Sequence, residues 1–195
     1  VFVDGKLHKV VKVCGTDTLI HLVSGIDKRI HSLKIQKRSE GEFGKTTVHQ
    51  FVLSGSGRLA KEPAVRTRHI EFIGNSLTCG YGTDGKHRDE PFLVETENCN
   101  LTFASMLARY YDADYTLIAH SGRGAARNYG DSVRVSKVTM KDRMLNTFDE
   151  DLTHKWNFKE YRPDLVVINL GSNDFSTEPH PYKSEFTKAY KQILA

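Results

Sequence analysis

Two regions of the chain carry different patterns of apolar and polar residues. From Val1 to about Leu59, short apolar runs alternate with turn residues. Val1-Phe2-Val3 is followed by Asp4-Gly5, the run Leu7 to Val13 by Gly15-Thr16-Asp17, and Thr18 to Val23 by Ser24-Gly25. A stretch with Ile30, Leu33 and Ile35 among polar neighbours comes next. Gly41 and Gly44 then bracket a break before Val48 to Leu53, which closes at Ser54-Gly55-Ser56-Gly57. Strands of about five to seven residues with turn signals every 8–12 or so predict an antiparallel sandwich or barrel. The alternation within some runs fits sheets with one face in water.

After Pro63 the period changes. His69 to Ile73 reads as a strand ending at Gly74. Leu101 to Tyr111 reads as a helix, with Leu101, Ala104, Leu107, Ala108 and Tyr111 on one face and Asn100 as its N-cap. Tyr115 to Ala119 is a second strand, stopped by Ser121-Gly122, and a helical stretch is expected from about Met140 to Phe148. Pro163-Asp164 introduces Leu165 to Leu170, an almost unbroken apolar run of the kind buried on both faces of a parallel sheet. Ser184 to Ala195 is helical, with Phe186, Ala189, Tyr190, Ile193 and Leu194 on one side. Strands alternating with helices predict βαβ units and a doubly wound α/β sheet. The two patterns divide the chain into an antiparallel β-domain over residues 1–62 and an α/β domain over 63–195.

In an open α/β sheet, sites form beyond the carboxyl ends of the strands. The residues that follow the three predicted strands are Gly74 to Gly82, His120 to Gly124, and Gly171-Ser172-Asn173-Asp174-Phe175. All three segments are small, polar and glycine-containing, a combination suited to acyl transfer. Ser76 sits just after a glycine that permits a tight strand-to-helix turn. Backbone N–H groups at a helix start favour developing negative charge. Gly122 lets a backbone N–H approach an oxyanion closely, and Asn173 offers a side-chain amide. Any one of these turns alone is ordinary; three in order, each directly after an α/β strand, are not.

Composition and charge narrow the alternatives. The chain has 195 residues, 38% hydrophobic and 27% charged, with 15 Gly and 5 Pro. This is ordinary for a globular protein and excludes collagen-like, low-complexity and disulfide-scaffold classes. No apolar run approaches the roughly 20 residues of a membrane span. The net charge of +4 is spread along the chain, with Lys34, Lys37 and Arg38 the densest cluster, so nucleic acid is not an expected partner. Cys14, Cys79 and Cys99 lack C-x-x-C spacing, and the nine His do not cluster at ligand spacing, so neither metal nor cofactor is expected. Whether Cys79 and Cys99 pair is left open. The G-x-G-x-x-G pattern fails at Arg127, Walker A and H-E-x-x-H motifs are absent, and Gly74 to Gly80 is not a G-x-S-x-G elbow.

Gly74-Asn75-Ser76-Leu77-Thr78 resembles the first block of the SGNH (GDSL-like) hydrolases, Gly122 their second, and Gly171-Ser172-Asn173-Asp174 their third. The flanking residues, Arg68 to Gly82, Ser121 to Gly124 with Arg127 to Gly130, and Val167 to Phe175, resemble the acetylxylan esterases of carbohydrate esterase family 2. The resemblance implies an SGNH, flavodoxin-like, three-layer parallel-sheet domain preceded by an antiparallel jelly-roll domain. It also implies an esterase that removes O-acetyl groups from polysaccharide or oligosaccharide such as xylan or glucomannan. Ser76 would be the nucleophile, and the oxyanion hole would comprise the N–H groups of Ser76 and Gly122 and the Asn173 side chain. Asn75 stands where Asp is usual, at a hydrogen-bonding rather than nucleophilic place. A secreted or periplasmic location is implied in the same way.

A serine nucleophile needs a base. The resemblance places it in an Asp-x-x-His-like block well after the third block. Asp151-Leu152-Thr153-His154 matches in form but precedes the third block, and is rejected. His120 and His180 lie near strand ends and are the in-chain alternatives, with His120 better read as lining the cleft. The chain is therefore expected to be a fragment, lacking the early strands of the β-domain and the base-bearing end of the hydrolase domain, and that remaining part is its expected partner. The rival readings are a non-catalytic carbohydrate-binding protein and an SGNH lipase or thioesterase. The polar loop from Tyr81 to Phe92 suits a sugar better than an apolar acyl chain.

Overall fold

A computed structural model describes residues 1–15, 18–61, 64 and 66–195. The chain folds into two compact units: Val1–Lys37 with Lys45–Ala64, and Arg38–Gly44 with Val65–Ala195. The expected boundary at Glu62 and Pro63, and part of the Gly15-Thr16-Asp17 turn, lie outside the described residues.

In the first unit, β1 (Phe2–Val3) pairs antiparallel with β2 (Lys6–Leu7) and with β3 (Leu33–Lys34). Asp4 and Gly5 join β1 to β2 with φ of 50° and 77°. Two consecutive left-handed residues are what a tight type I′ hairpin needs, and Asp-Gly supplies them at low cost. The Asp4 carboxylate also accepts the Ser32 N–H at 2.9 Å and meets His31 Nδ1 at 2.7 Å. Among the described residues, the strands expected at Thr18 to Val23 and Val48 to Leu53 form no ladder, and only the start of the expected Leu7 to Val13 strand is paired. Several of their apolar residues are exposed, Leu19 at 85% and Val52 at 66%, while Ile20, Leu22 and Val23 are half-buried. Alternation marks one face as apolar, but a strand still requires a partner.

The second unit is built on a parallel sheet. Its elements are β4 (His69–Gly74), α1 (Ser76–Cys79), α2 (Phe103–Tyr110), β5 (Asp114–Ala119), α3 (Met140–Arg143), β6 (Asn146–Phe148), β7 (Asp151–Lys155), β8 (Leu165–Ile168) and α4 (Lys183–Leu194). The sheet order is β5-β4-β8, and β6 and β7 form a separate antiparallel hairpin. Ile73 stands level with Ile118 of β5 and Ile168 of β8, so all three strands end at one height.

Alternation along β4 sends side chains to both faces. Ile70 and Phe72 pack with Ala104 and Ala108 of α2, Phe72 meeting Phe103 edge-on at 6.0 Å. Ile73 packs on the opposite face with Ala125, Met140 of α3 and Ile193 of α4, beside Phe186 and Tyr190. Helices on both faces of a parallel sheet make the three-layer arrangement expected from the sequence.

Several local expectations change. The cap of α2 is Thr102, whose side chain accepts the Ser105 N–H, because Asn100 is already part of the 3-10 turn Cys99–Leu101. Leu107 and Tyr111 are exposed, and small Ala104, Ser105 and Ala108 make the close approach to the sheet. The helix expected from Met140 to Phe148 stops after one turn, since Asn146–Phe148 pairs with β7 instead. β8 is not buried on both faces: Leu165 and Val166 are 53% and 44% exposed, and its one ladder partner among the described residues is β4.

Glu71 is buried within β4, and burial pushes its carboxyl above the ordinary range. A raised folded-state pKa means a contribution to stability that is present below the unfolded value and is lost as pH rises. Glu71→Gln removes that dependence. Chemical denaturation at pH 4 and pH 7 is expected to show the variant gaining on the native protein as pH rises; a difference that stays constant would contradict this.

Candidate active site

The first candidate loop is set by Gly74 and Asn75. A Cβ on Gly74 would lie 2.0 Å from Thr78 Oγ1, so only glycine lets α1 start this close to the strand end. Asn75 is the N-cap of α1, its Oδ1 accepting the Leu77 N–H. Ser76 is the first residue of the helix and is half-buried. Gly80 ends α1 with φ 91° and returns its N–H to the Ser76 carbonyl. Thr78 and Cys79 point inward, and burial pushes the Cys79 thiol well above its usual range. No disulfide joins Cys79 and Cys99.

Buried side chains tie the three loops together. Asn75 Nδ2 donates to Ser172 Oγ at 2.9 Å, joining the first loop to the third. Asn173 Nδ2 donates to the Arg123 carbonyl at 2.8 Å, joining the third to the second. The fully buried Asp174 carboxylate accepts three successive N–H groups, from Ala125 at 3.0 Å, Ala126 at 2.7 Å and Arg127 at 2.9 Å. Gly124 is obligatory beneath it, because a Cβ there would lie 2.4 Å from Asp174 Oδ2 and 2.0 Å from the Arg127 carbonyl. Ser76 and Gly122 therefore each adjoin a residue held by one of these bonds, and Asn173 makes one itself.

Gly122 lies in a turn closed by Arg123 N–H to the His120 carbonyl, with φ 74°, and its own carbonyl accepts the Tyr129 N–H at 2.8 Å. Asn173 has two amide hydrogens, and its bond to Arg123 uses one. That bond fixes the plane of the amide, and with it the direction of the other N–H.

The histidines considered as bases are engaged elsewhere. His120 is 2% exposed and its Nδ1 meets Asp149 Oδ2 at 2.5 Å, while its Nε2 faces Glu42 at 3.7 Å. Burial raises the Asp149 pKa, but the His120 hydrogen bond and the Arg143 charge outweigh it and hold this carboxyl below its ordinary range. His154 is on β7, exposed, with Nδ1 at 2.5 Å from Asp151. His180 Nδ1 faces Glu178 at 3.3 Å. No hydrogen bond joins any of the three to Ser76 among the described residues.

Some site-building residues carried no sequence signal. The sequence does not show that Glu40 and Glu42, about 80 residues upstream, meet His120 within 4.8 Å, nor that Glu40, Cys79 and Glu97 form a buried group of the same size. Arg127, also fully buried, ties the second loop to Val133, Thr177 and Glu178. The loop after α1 stacks Tyr81 on Phe92 with ring centres 3.7 Å apart, and lines a cleft of about 270 Å³ with His87, Arg88 and Glu90.

A parallel sheet covered by helices on both faces, with Ser76, Gly122 and Asn173 in its post-strand loops, defines the class. The chain belongs to the GDSL-like lipase/acylhydrolase family, whose model matches residues 70–195. Residues 1–63 match the carbohydrate esterase 2 N-terminal model. The chain is 37% identical over 193 residues to the cellulase/esterase CelE of Acetivibrio thermocellus, covering 99% of this chain and 23% of that protein. It is 36% identical over 150 residues to an acetylxylan esterase/glucomannan deacetylase of Cellvibrio japonicus, covering 75% and 40%. Among solved structures it is similar to a family two carbohydrate esterase from Clostridium thermocellum in complex with cellohexaose. That match has a TM-score of 0.66 and 39% identity, over 72% of this chain and 42% of that one. The chain spans less than half the length of these relatives.

Asp174→Ala leaves three buried N–H groups without their acceptor, at about 1–3 kcal/mol each. Urea denaturation is expected to show a loss of about 3 kcal/mol or more. A loss below about 1 kcal/mol would mean that these bonds do not hold the loops.

Proposed function

We propose that the chain carries the nucleophile and oxyanion donors of a serine esterase that removes O-acetyl groups from plant cell-wall polysaccharide or oligosaccharide, such as xylan or glucomannan. The observation that carries this reading is the stitching of three post-strand loops through Asn75, Asn173 and Asp174, which gathers Ser76, Gly122 and Asn173 at one end of the sheet. Ser76 Oγ attacks the acetyl carbonyl carbon. The carbonyl oxygen takes the negative charge and is met by the N–H groups of Ser76 and Gly122 and the second Asn173 amide hydrogen. The base moves the serine proton to the departing sugar oxygen. Water activated by the same base then releases acetate and restores the serine.

None of His120, His154 and His180 hydrogen-bonds Ser76 among the described residues, so none of the three is read as its base. A sugar substrate is supported by the cleft that sets His87, Arg88 and Glu90 beside the rings of Tyr81 and Phe92, and by the similarity to an acetylxylan esterase/glucomannan deacetylase. Residues 1–62 are read as part of a jelly-roll domain and 63–195 as part of the hydrolase domain, with Arg38–Gly44 folding in the second unit. The expected setting is secreted or periplasmic. No helix among the described residues is long and apolar enough to cross a membrane.

In the full-length protein, Ser76→Ala is expected to lower acetyl-ester turnover by at least about 10³-fold with the thermal midpoint unchanged. The native protein is expected to favour acetyl over octanoyl esters. Retained turnover in Ser76→Ala would overturn the nucleophile, and preference for octanoyl esters would overturn the substrate class.

A further inference from the structure

The proposed oxyanion donor Gly122 N–H belongs to the central peptide of the turn His120–Arg123. A positive φ at the third position is the mark of a type II turn, and type I and type II turns differ by rotation of that central peptide. The direction of the Gly122 N–H therefore depends on what holds the turn from either side. On the downstream side, Tyr129 N–H binds the Gly122 carbonyl and Asn173 binds the Arg123 carbonyl. On the upstream side the holding group is Glu40. Its Oε2 accepts the Ser121 N–H at 2.6 Å, across 81 residues of sequence.

We infer that Glu40 is a positioning residue for the oxyanion hole, acting through the Ser121 N–H on the peptide that carries the Gly122 N–H. The inference rests on the esterase reading above. Glu40 is suited to this role because it is itself held on several sides. It is 7% exposed, and its side chain is almost wholly buried. Its own N–H binds Glu97 Oε1 at 3.2 Å, and Cys79 Sγ donates to its Oε2 at 3.5 Å. The neighbouring Arg38 bonds to the Glu97 carbonyl at 2.8 Å, and its carbonyl accepts the Cys99 N–H at 3.0 Å. One residue on, a Cβ at Gly41 would lie 2.8 Å from Asp149 Cβ, so the strand of chain lies hard against the residue that binds His120. The stretch Arg38–Gly44 interrupts the first unit in sequence, yet it folds in the second and delivers this carboxylate.

The role is one of reach: an oxygen must stand four bonds from Cα to meet the Ser121 N–H. Glu40→Gln keeps the reach and an acceptor oxygen but loses the charge. Glu40→Asp keeps the charge and loses the reach. In the full-length protein, Glu40→Gln is expected to hold kcat on an aryl acetate within about threefold of native, while Glu40→Asp and Glu40→Ala lose about 10- to 100-fold with KM nearly unchanged. The Ki of an alkylboronic acid, whose tetrahedral serine adduct places a hydroxyl where the oxyanion forms, is expected to rise by the same factor in those two variants. Equal kcat in all variants, a better Asp than Gln, or a loss that follows only KM or the folded fraction by circular dichroism would overturn the inference. Ser76→Ala separates the two readings. If it is inactive while Glu40→Asp has native kcat, only the role of Glu40 falls; if it stays active, the site itself falls and the role of Glu40 with it.

Discussion

The second unit depends on one buried carboxylate. Asp174 accepts three consecutive N–H groups of the segment Ala125 to Arg127, in a place with no exposure to solvent. An anion that accepts several backbone N–H groups is strongly held, and the same bonds draw the loop after β5 onto the loop after β8. Glycine at 124 is a consequence, because the carboxylate occupies the space that a side chain would need. The adjacent Asn173 and Ser172 then bond to Arg123 and Asn75, so the arrangement extends from one interaction to all three loops. The parallel register that ends β4, β5 and β8 at one height makes these short bonds reachable.

Much of this was legible in the sequence. The three strands, the two longer helices and the three post-strand loops are where periodicity and glycine placement put them, since burial of a parallel sheet between helices leaves a strong apolar pattern. The two helix faces pack as expected at Ala104, Ala108, Ala189 and Ile193. What failed was local competition. Asn100 looks like a cap, but the chain tightens into a 3-10 turn first and gives the task to Thr102. Asn146 to Phe148 continues a helical pattern in sequence and is captured by pairing with β7. In the first unit, alternation predicted strands that have no partner to ladder with among the described residues.

Interactions spanning many residues were not legible at all. Nothing about Glu40 in sequence points to Ser121, and nothing about His120 points to Asp149, because each pair is brought together only once the sheet is formed. His120 illustrates the cost of reading position alone. It follows a strand that ends at the candidate site, as a catalytic base would, yet it is buried with Asp149 on one ring nitrogen and Glu42 facing the other, and has no hydrogen bond to Ser76 among the described residues. Its neighbours make it a structural link between the β6–β7 hairpin and the turn that carries Gly122.

The most direct test of the account is a crystal structure of the full-length protein inactivated by a small alkyl phosphonate. The account predicts phosphorus bonded to Ser76 Oγ, with the phosphoryl oxygen within hydrogen-bond distance, about 2.7–3.1 Å, of Ser76 N, Gly122 N and Asn173 Nδ2. Phosphorus on another residue, or a phosphoryl oxygen turned away from Gly122 and Asn173, would contradict it.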